Sequence, residues 1–129
     1  MPEPIVYIDS SEILEGKLDE VKSAIDELVD FVDAKEPQLI SYGFFLNEDG
    51  TRMTVVAIHP DSASMELHME VAGPGFRKFI GLIRLSSIEV FGEVTDSALD
   101  RLKQKAWMLG SGTVTAHKLR AGFTRLVID

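Results

Sequence analysis

The chain has 129 residues, 45% of them hydrophobic, with 21 acidic and 13 basic side chains and a formal charge of −8. That length suits one domain with one core, able to bury roughly two thirds of its unfolded surface, while the negative charge repels phosphate backbones and argues against nucleic acid as a partner. The absence of cysteine excludes disulfides, a Cys-based zinc site and a thiol nucleophile, and with no basic leader and no apolar run near the roughly 20 residues of a membrane span the expectation is a soluble, cytoplasmic protein.

Ile5 to Ile8, short and β-branched, predicts a first strand, followed by a polar connection from Asp9 to Lys17. From Leu18 the period becomes 3.6. Leu18, Val21, Ile25, Leu28 and Val32 share a stripe opposite Asp19, Glu20, Asp26, Glu27, Asp30 and Asp33, an amphipathic helix that Pro37 stops. Leu39 to Leu46 and Met53 to His59 flank Asn47-Glu48-Asp49-Gly50-Thr51 and predict a hairpin. Asp61 or Ser62 can cap a second helix with Met65, His68, Met69 and Ala72 inward. Gly73-Pro74-Gly75 predicts a break in it, with a further helical piece through Phe76, Phe79 and Ile83. Ser86 to Val94 alternates as a fourth strand. Asp96 or Ser97 then caps a third helix whose stripe is Leu99, Leu102, Ala106 and Leu109, ending at Gly110. Thr113 to Ile128 predicts a fifth strand on an edge or across a dimer.

The order is β-α-β-β-α-β, an α+β ferredoxin-like unit over residues 5–94 with an appended helix and strand over 95–129, all one domain. Two helices cover one face of such a sheet. The other face, apolar and bare in a monomer, predicts a homodimer. Charge is unevenly placed: residues 1–40 carry 11 acidic and 3 basic side chains, and residues 101–129 carry 1 acidic and 6 basic.

The run LEGKLDEVKSAIDELVDFVDAKEPQLISYGFF, followed by VVAIHPDSASMELHM and GFRKFIGLI, resembles the antibiotic-biosynthesis monooxygenase family of dimeric α/β barrels, which includes quinol monooxygenases. The likeness spans about Ile5 to Val94. It rests on Gly16-Lys17 before the first helix, Glu36-Pro37 with Ser41-Tyr42, and the Asp61 to His68 spacing that leads to Phe76 and Phe79. Two positions depart from the family's pattern: Tyr42 is followed by Gly43 in place of Glu, and the third strand ends Ala57-Ile58-His59 in place of Glu-x-Trp. The resemblance implies a cofactor-independent oxygenase of a small phenol or quinol; the family also holds haem-degrading proteins and members without assigned activity.

On that reading His68 is the proton acceptor, with His59 as a second candidate. Each has a plainer reading, as a satisfied core residue and as a turn cap. Tyr42, Phe44, Met65, Phe76 and Trp107 are the candidate walls for a small apolar or aromatic ligand, and each also suits a core or seam. His59, His68 and His117 are 9 and 49 residues apart and match no local zinc motif, so no metal is expected. Gly73-Pro74-Gly75 follows no strand and lacks the lysine of a phosphate loop. No Gly-x-Ser-x-Gly elbow points to a hydrolase, and the basic-aromatic signatures of RNA-reading sheets are missing. The expected function is cofactor-independent monooxygenation, with no cofactor and no membrane or nucleic-acid partner; the alternative is a non-catalytic dimer that binds a small molecule or serves as an interaction module.

Overall fold

Period-two alternation runs through the first strand for longer than its apolar start predicts. In the computed structural model, which describes residues 3–125, β1 is Ile5–Ile13. Asp9 to Ile13, expected as connection, continues the strand, because Tyr7, Asp9, Ser11 and Ile13 all turn inward and are buried. After β1 come α1 (Leu18–Lys35), β2 (Ser41–Leu46), β3 (Arg52–His59), α2 (Ser62–Phe76), a 3-10 turn (Arg77–Phe79), β4 (Ile83–Phe91), α3 (Asp96–Leu109) and β5 (Gly110–His117). They form one sheet in the order β2-β3-β1-β4-β5. All neighbours are antiparallel except β4 and β5. The βαββαβ part is ferredoxin-like, and β4-α3-β5 adds a parallel crossover at one edge.

α1 buries Val21, Ala24, Leu28 and Val32 against the sheet, as its stripe predicts. α2 is continuous through Gly73-Pro74-Gly75, contrary to the predicted break. Two glycines account for this. Gly73 has no Cβ to strike the Pro74 ring, the clash that normally drives the residue before proline out of helical geometry. Gly75 lets the helix press on α1, where an added Cβ would lie 2.6 Å from Leu28 Cδ1. Ile83 opens β4 instead of continuing a helix, so that strand starts earlier than predicted and bulges between Leu85 and Ser87. α3 is capped by the Thr95 side chain, which accepts from the Ala98 N–H at 3.1 Å, and not by Asp96 or Ser97. The final strand is shorter than Thr113 to Ile128: β5 ends at His117, no strand follows in 118–125, and 126–129 lie outside the described residues.

The core sits between the sheet and the three helices. The opposite face carries Val6, Ile8, Val56 and Ile58 half-buried beside exposed Phe45 and Phe91, and among the described residues no helix lies over it. Among the described residues no helix is long and apolar enough to cross a membrane.

Candidate functional site

β1 is the central strand, and its inward face places a carboxylate in the middle of the core. Asp9 is 2% exposed and lies between Val55 of β3 and Ile88 of β4. Its Oδ2 accepts from the Tyr7 hydroxyl and, at 3.2 Å, from Lys105 Nζ of α3. Lys105 also donates to the Tyr7 oxygen at 2.8 Å and lies 4.1 Å from the Phe76 ring centroid. Lysine and aspartate are almost never fully buried unless paired, and here Lys105, 9% exposed, supplies the charge that Asp9 needs. Burial, then the adjacent Asp9 charge, pushes the Tyr7 phenol well above its usual range, so Tyr7 stays a donor.

One half of the carboxylate is unused. Asp9 Oδ1 and Ser11 Oγ are fully buried without a hydrogen-bond partner among the described residues. Both residues line an inner cavity of ≈ 20 Å³ walled by Tyr42, Phe44, Phe76, Phe79 and Lys105. That is room for about one water molecule. Phe76 and Lys105 also line a larger space of ≈ 320 Å³, a groove between α2 and α3 that includes Met69, Pro74, Arg77, Arg101 and Met108. The two side chains thus stand between an open groove and a buried carboxylate.

A second polar cluster lies beside the first. Glu36 ends α1 and is buried, and both its carboxylate oxygens are 2.9 Å from His68 Nδ1. His68 meets Tyr42 edge to face at 5.0 Å between ring centres and lies 5.5 Å from both His59 and Phe76. The Tyr42 hydroxyl stays protonated: burial, then the charges of Asp9 and Glu36, raise its pKa well above the ordinary value. His59 Nδ1 is 2.8 Å from Ser64 Oγ. Burial, then the charges of His68 and Lys105, push its pKa down to about 3, so His59 is neutral at pH 7 and a weak proton acceptor. Among the described residues no three His, Asp or Glu side chains converge to hold a metal ion.

No protein-family model matches the sequence, and no curated protein matches it significantly. Solved structures do match by shape. MupZ from Pseudomonas fluorescens superposes with a TM-score of 0.75 over 98% of this chain and 99% of its own, at 22% identity. SnoaB, a cofactor-independent oxygenase from Streptomyces nogalater, gives 0.60 over 72% of this chain and 95% of its own, at 14% identity. A candidate antibiotic biosynthesis monooxygenase from Bacteroides thetaiotaomicron gives 0.54 over 64% and 85%, at 18% identity. The chain shares the ferredoxin-like α+β fold of these structures.

Within this fold the predicted site residues divide. Tyr42, Phe44 and Phe76 line the inner cavity, and His68 and His59 stand behind Tyr42 and Phe76, lining neither the cavity nor the groove. Met65 is fully buried in the core and also lines neither space. Trp107 is 85% exposed on the outer face of α3 and is not brought to the site. Asp9, Ser11, Tyr7 and Lys105 escaped sequence reasoning, and Glu36 entered it only as part of Glu36-Pro37. Signals existed for two of them: Asp9 keeps the alternation of Tyr7, Ser11 and Ile13, and Lys105 falls three residues after Leu102 and four before Leu109, on the inward stripe of α3.

Proposed function

We propose that the chain is a small-molecule enzyme whose first step is removal of a proton by Asp9, and that its substrate is an electron-rich phenol or quinol oxidised by dioxygen without a cofactor. The single observation that carries this is the buried carboxylate oxygen, Oδ1, unpartnered at the wall of an aromatic-lined cavity while Oδ2 is held by Tyr7 and Lys105. A base so held is oriented before substrate arrives. The fold shared with SnoaB, a cofactor-independent oxygenase, supports the choice of reaction class.

The chemistry balances with substrate and dioxygen alone. Deprotonation leaves an anion that gives an electron to dioxygen. The resulting radical pair joins through a carbon–oxygen bond to a peroxide anion, which takes the proton back from Asp9; the O–O bond of that hydroperoxide then breaks as the hydrogen on the same carbon is lost, leaving a carbonyl and releasing water. One oxygen atom enters the product and the other leaves as water, the electrons coming from the substrate. Tyr42, Phe44 and Phe76 wall the cavity, and a ring reaches Asp9 from the groove once Phe76, which lines both spaces, turns aside while Lys105 keeps its hold on Oδ2. The Glu36–His68 pair positions Tyr42. We further read the chain as one domain, homodimeric through its bare sheet face; the lack of cysteine suits a reducing, cytoplasmic setting.

A second reading, binding without turnover, is favoured by the contrast between the inner cavity beside Asp9, which at ≈ 20 Å³ admits no ring, and the ≈ 320 Å³ groove, which has room for a small molecule away from the carboxylate. Oxygen uptake with a panel of small hydroquinones separates the two. Asp9→Asn keeps an acceptor for Lys105 but is no base, and uptake is expected to fall on the order of a hundredfold or more in a variant whose circular dichroism is unchanged. Equal rates would remove Asp9 as the base. Saturable binding with no turnover in the wild type would favour the binder.

A further inference from the structure

The groove between α2 and α3 has a charge character opposite to that of the molecule. In a chain with 21 acidic and 13 basic side chains, its wall holds Arg77, Arg101 and Lys105 together with Gln104, and no acidic residue. Arg101 and Lys105 are one turn apart on α3, with Gln104 and Met108 on the same face. Four of the lysines and arginines pair with acids among the described residues: Lys17 with Glu20 at 3.5 Å, Lys78 with Glu27 at 2.6 Å, Arg84 with Glu12 at 3.3 Å, and Lys105 with Asp9. Among the described residues, Arg77 and Arg101 pair with no carboxylate, despite the acidic excess. Two arginines and Lys105 lining one groove with no acidic residue in its wall give it a positive potential that a bound anion would neutralise. The rest of the wall, Met69, Pro74, Phe76 and Met108, is apolar. At ≈ 320 Å³ the groove is within the usual size for a small-molecule site.

We propose that this groove receives the carboxylate end of a carboxylate-bearing small molecule, Arg77 and Arg101 binding the carboxylate while the apolar body lies along Met69, Pro74 and Met108 toward Phe76. Arginine's planar fork matches a carboxylate's two oxygens, which makes it better suited to this than lysine. The inference deepens the enzyme reading above by naming the substrate's charged end. It rests on that reading only in treating the groove as the outer part of the same site, since Phe76 and Lys105 line both spaces.

The test uses a matched pair of probes, phenylpropanoate and phenylpropanamide, which differ in charge at one end, titrated calorimetrically into the full-length protein. The carboxylate is expected to bind roughly tenfold or more tightly than the amide, with the advantage shrinking as salt is raised. Arg77→Gln with Arg101→Gln should abolish the preference without altering the melting temperature by more than a degree or two, because neither side chain reaches the Asp9 cluster. Arg101→Lys should retain part of it. Equal binding of both probes, no binding of either at millimolar concentration, or a preference that survives in the double variant would each overturn the proposal. Asp9→Asn is expected to keep the preference whatever it does to turnover, so a wrong base and a wrong groove give different results.

Discussion

Lys105 and Asp9 cannot be considered separately, because each is the other's means of being charged inside the core. A buried ion pair contributes little net stability against an apolar substitute, yet breaking it from one side leaves an uncompensated charge and costs about 3–5 kcal/mol. Lys105→Met fills similar volume without charge, so it should lower the unfolding free energy by about 3 kcal/mol, read from urea titrations. Adding Asp9→Asn to it should recover most of that loss, because the orphaned charge goes with the second change. Additive losses in the double variant would show that the two side chains do not share one interaction. Their position also explains why the pair was hard to see in the sequence. Asp9 lies beyond an obvious apolar run, and the polar Asp9-Ser10-Ser11-Glu12 reads as loop unless the alternation from Tyr7 is followed through it. Lys105 looks like one of several charges on α3 unless its place on the inward stripe with Leu102 and Leu109 is weighed above its charge. Tyr42, Phe44 and Phe76 were legible because aromatic side chains on an inward stripe line whatever space lies there.

At the level of elements, α3 delivers Lys105 only because β5 fixes the far end of that helix. Gly110 ends α3 and starts β5, and an added Cβ there would lie 2.7 Å from the Leu85 carbonyl oxygen and 2.8 Å from the Leu85 nitrogen; Gly112 is as close to the backbone of Ser86. The glycines let β5 pass tightly along the bulge of β4, and backbone atoms cannot swing aside as a side-chain tip can. Gly110→Ala is therefore expected to destabilise by about 1–3 kcal/mol and to loosen α3, with faster amide exchange in β5 and in the last turn of α3 as the diagnostic. Unchanged exchange and stability would mean that the β4–β5 contact can shift without cost. Here sequence and structure part for one physical reason. Helices and strands with a clean period, α1 and the hairpin among them, were placed within a few residues. Gly-Pro-Gly in α2 was read as a break, whereas it is a place where two helices come unusually close; Gly110 does end α3 as read, but the close passage of β5 along β4 that it and Gly112 permit was not foreseen. Proximity of that kind depends on the neighbour, and a local reading does not contain the neighbour.

For the whole molecule, the decisive asymmetry is between the two faces of the sheet. The inner face is covered by three helices; the outer one presents Val6, Ile8, Val56 and Ile58 in adjacent register, with Phe45 and Phe91 flanking them. Toward the other end of β1 the same face turns polar, with Arg52 donating to Ser10 and Ser86 at 2.9 and 3.2 Å and Glu12 meeting Arg84 at 3.3 Å. An apolar centre beside a polar margin is how stable interfaces are built, typically at about 800 Å² per partner. A second copy placed face to face, Ile8 and Val56 packing on their counterparts, would cover the apolar part. The wild type is expected to sediment as a dimer at micromolar concentration. Val56→Glu should give a folded monomer, because Val56 points away from the helix-covered core and its charge would be buried only in the dimer. The melting temperature of that variant should no longer depend on protein concentration, whereas the wild type's should rise with it. A wild type that sediments as a monomer, or a Val56→Glu variant that still sediments as a dimer, would move the contact off this face.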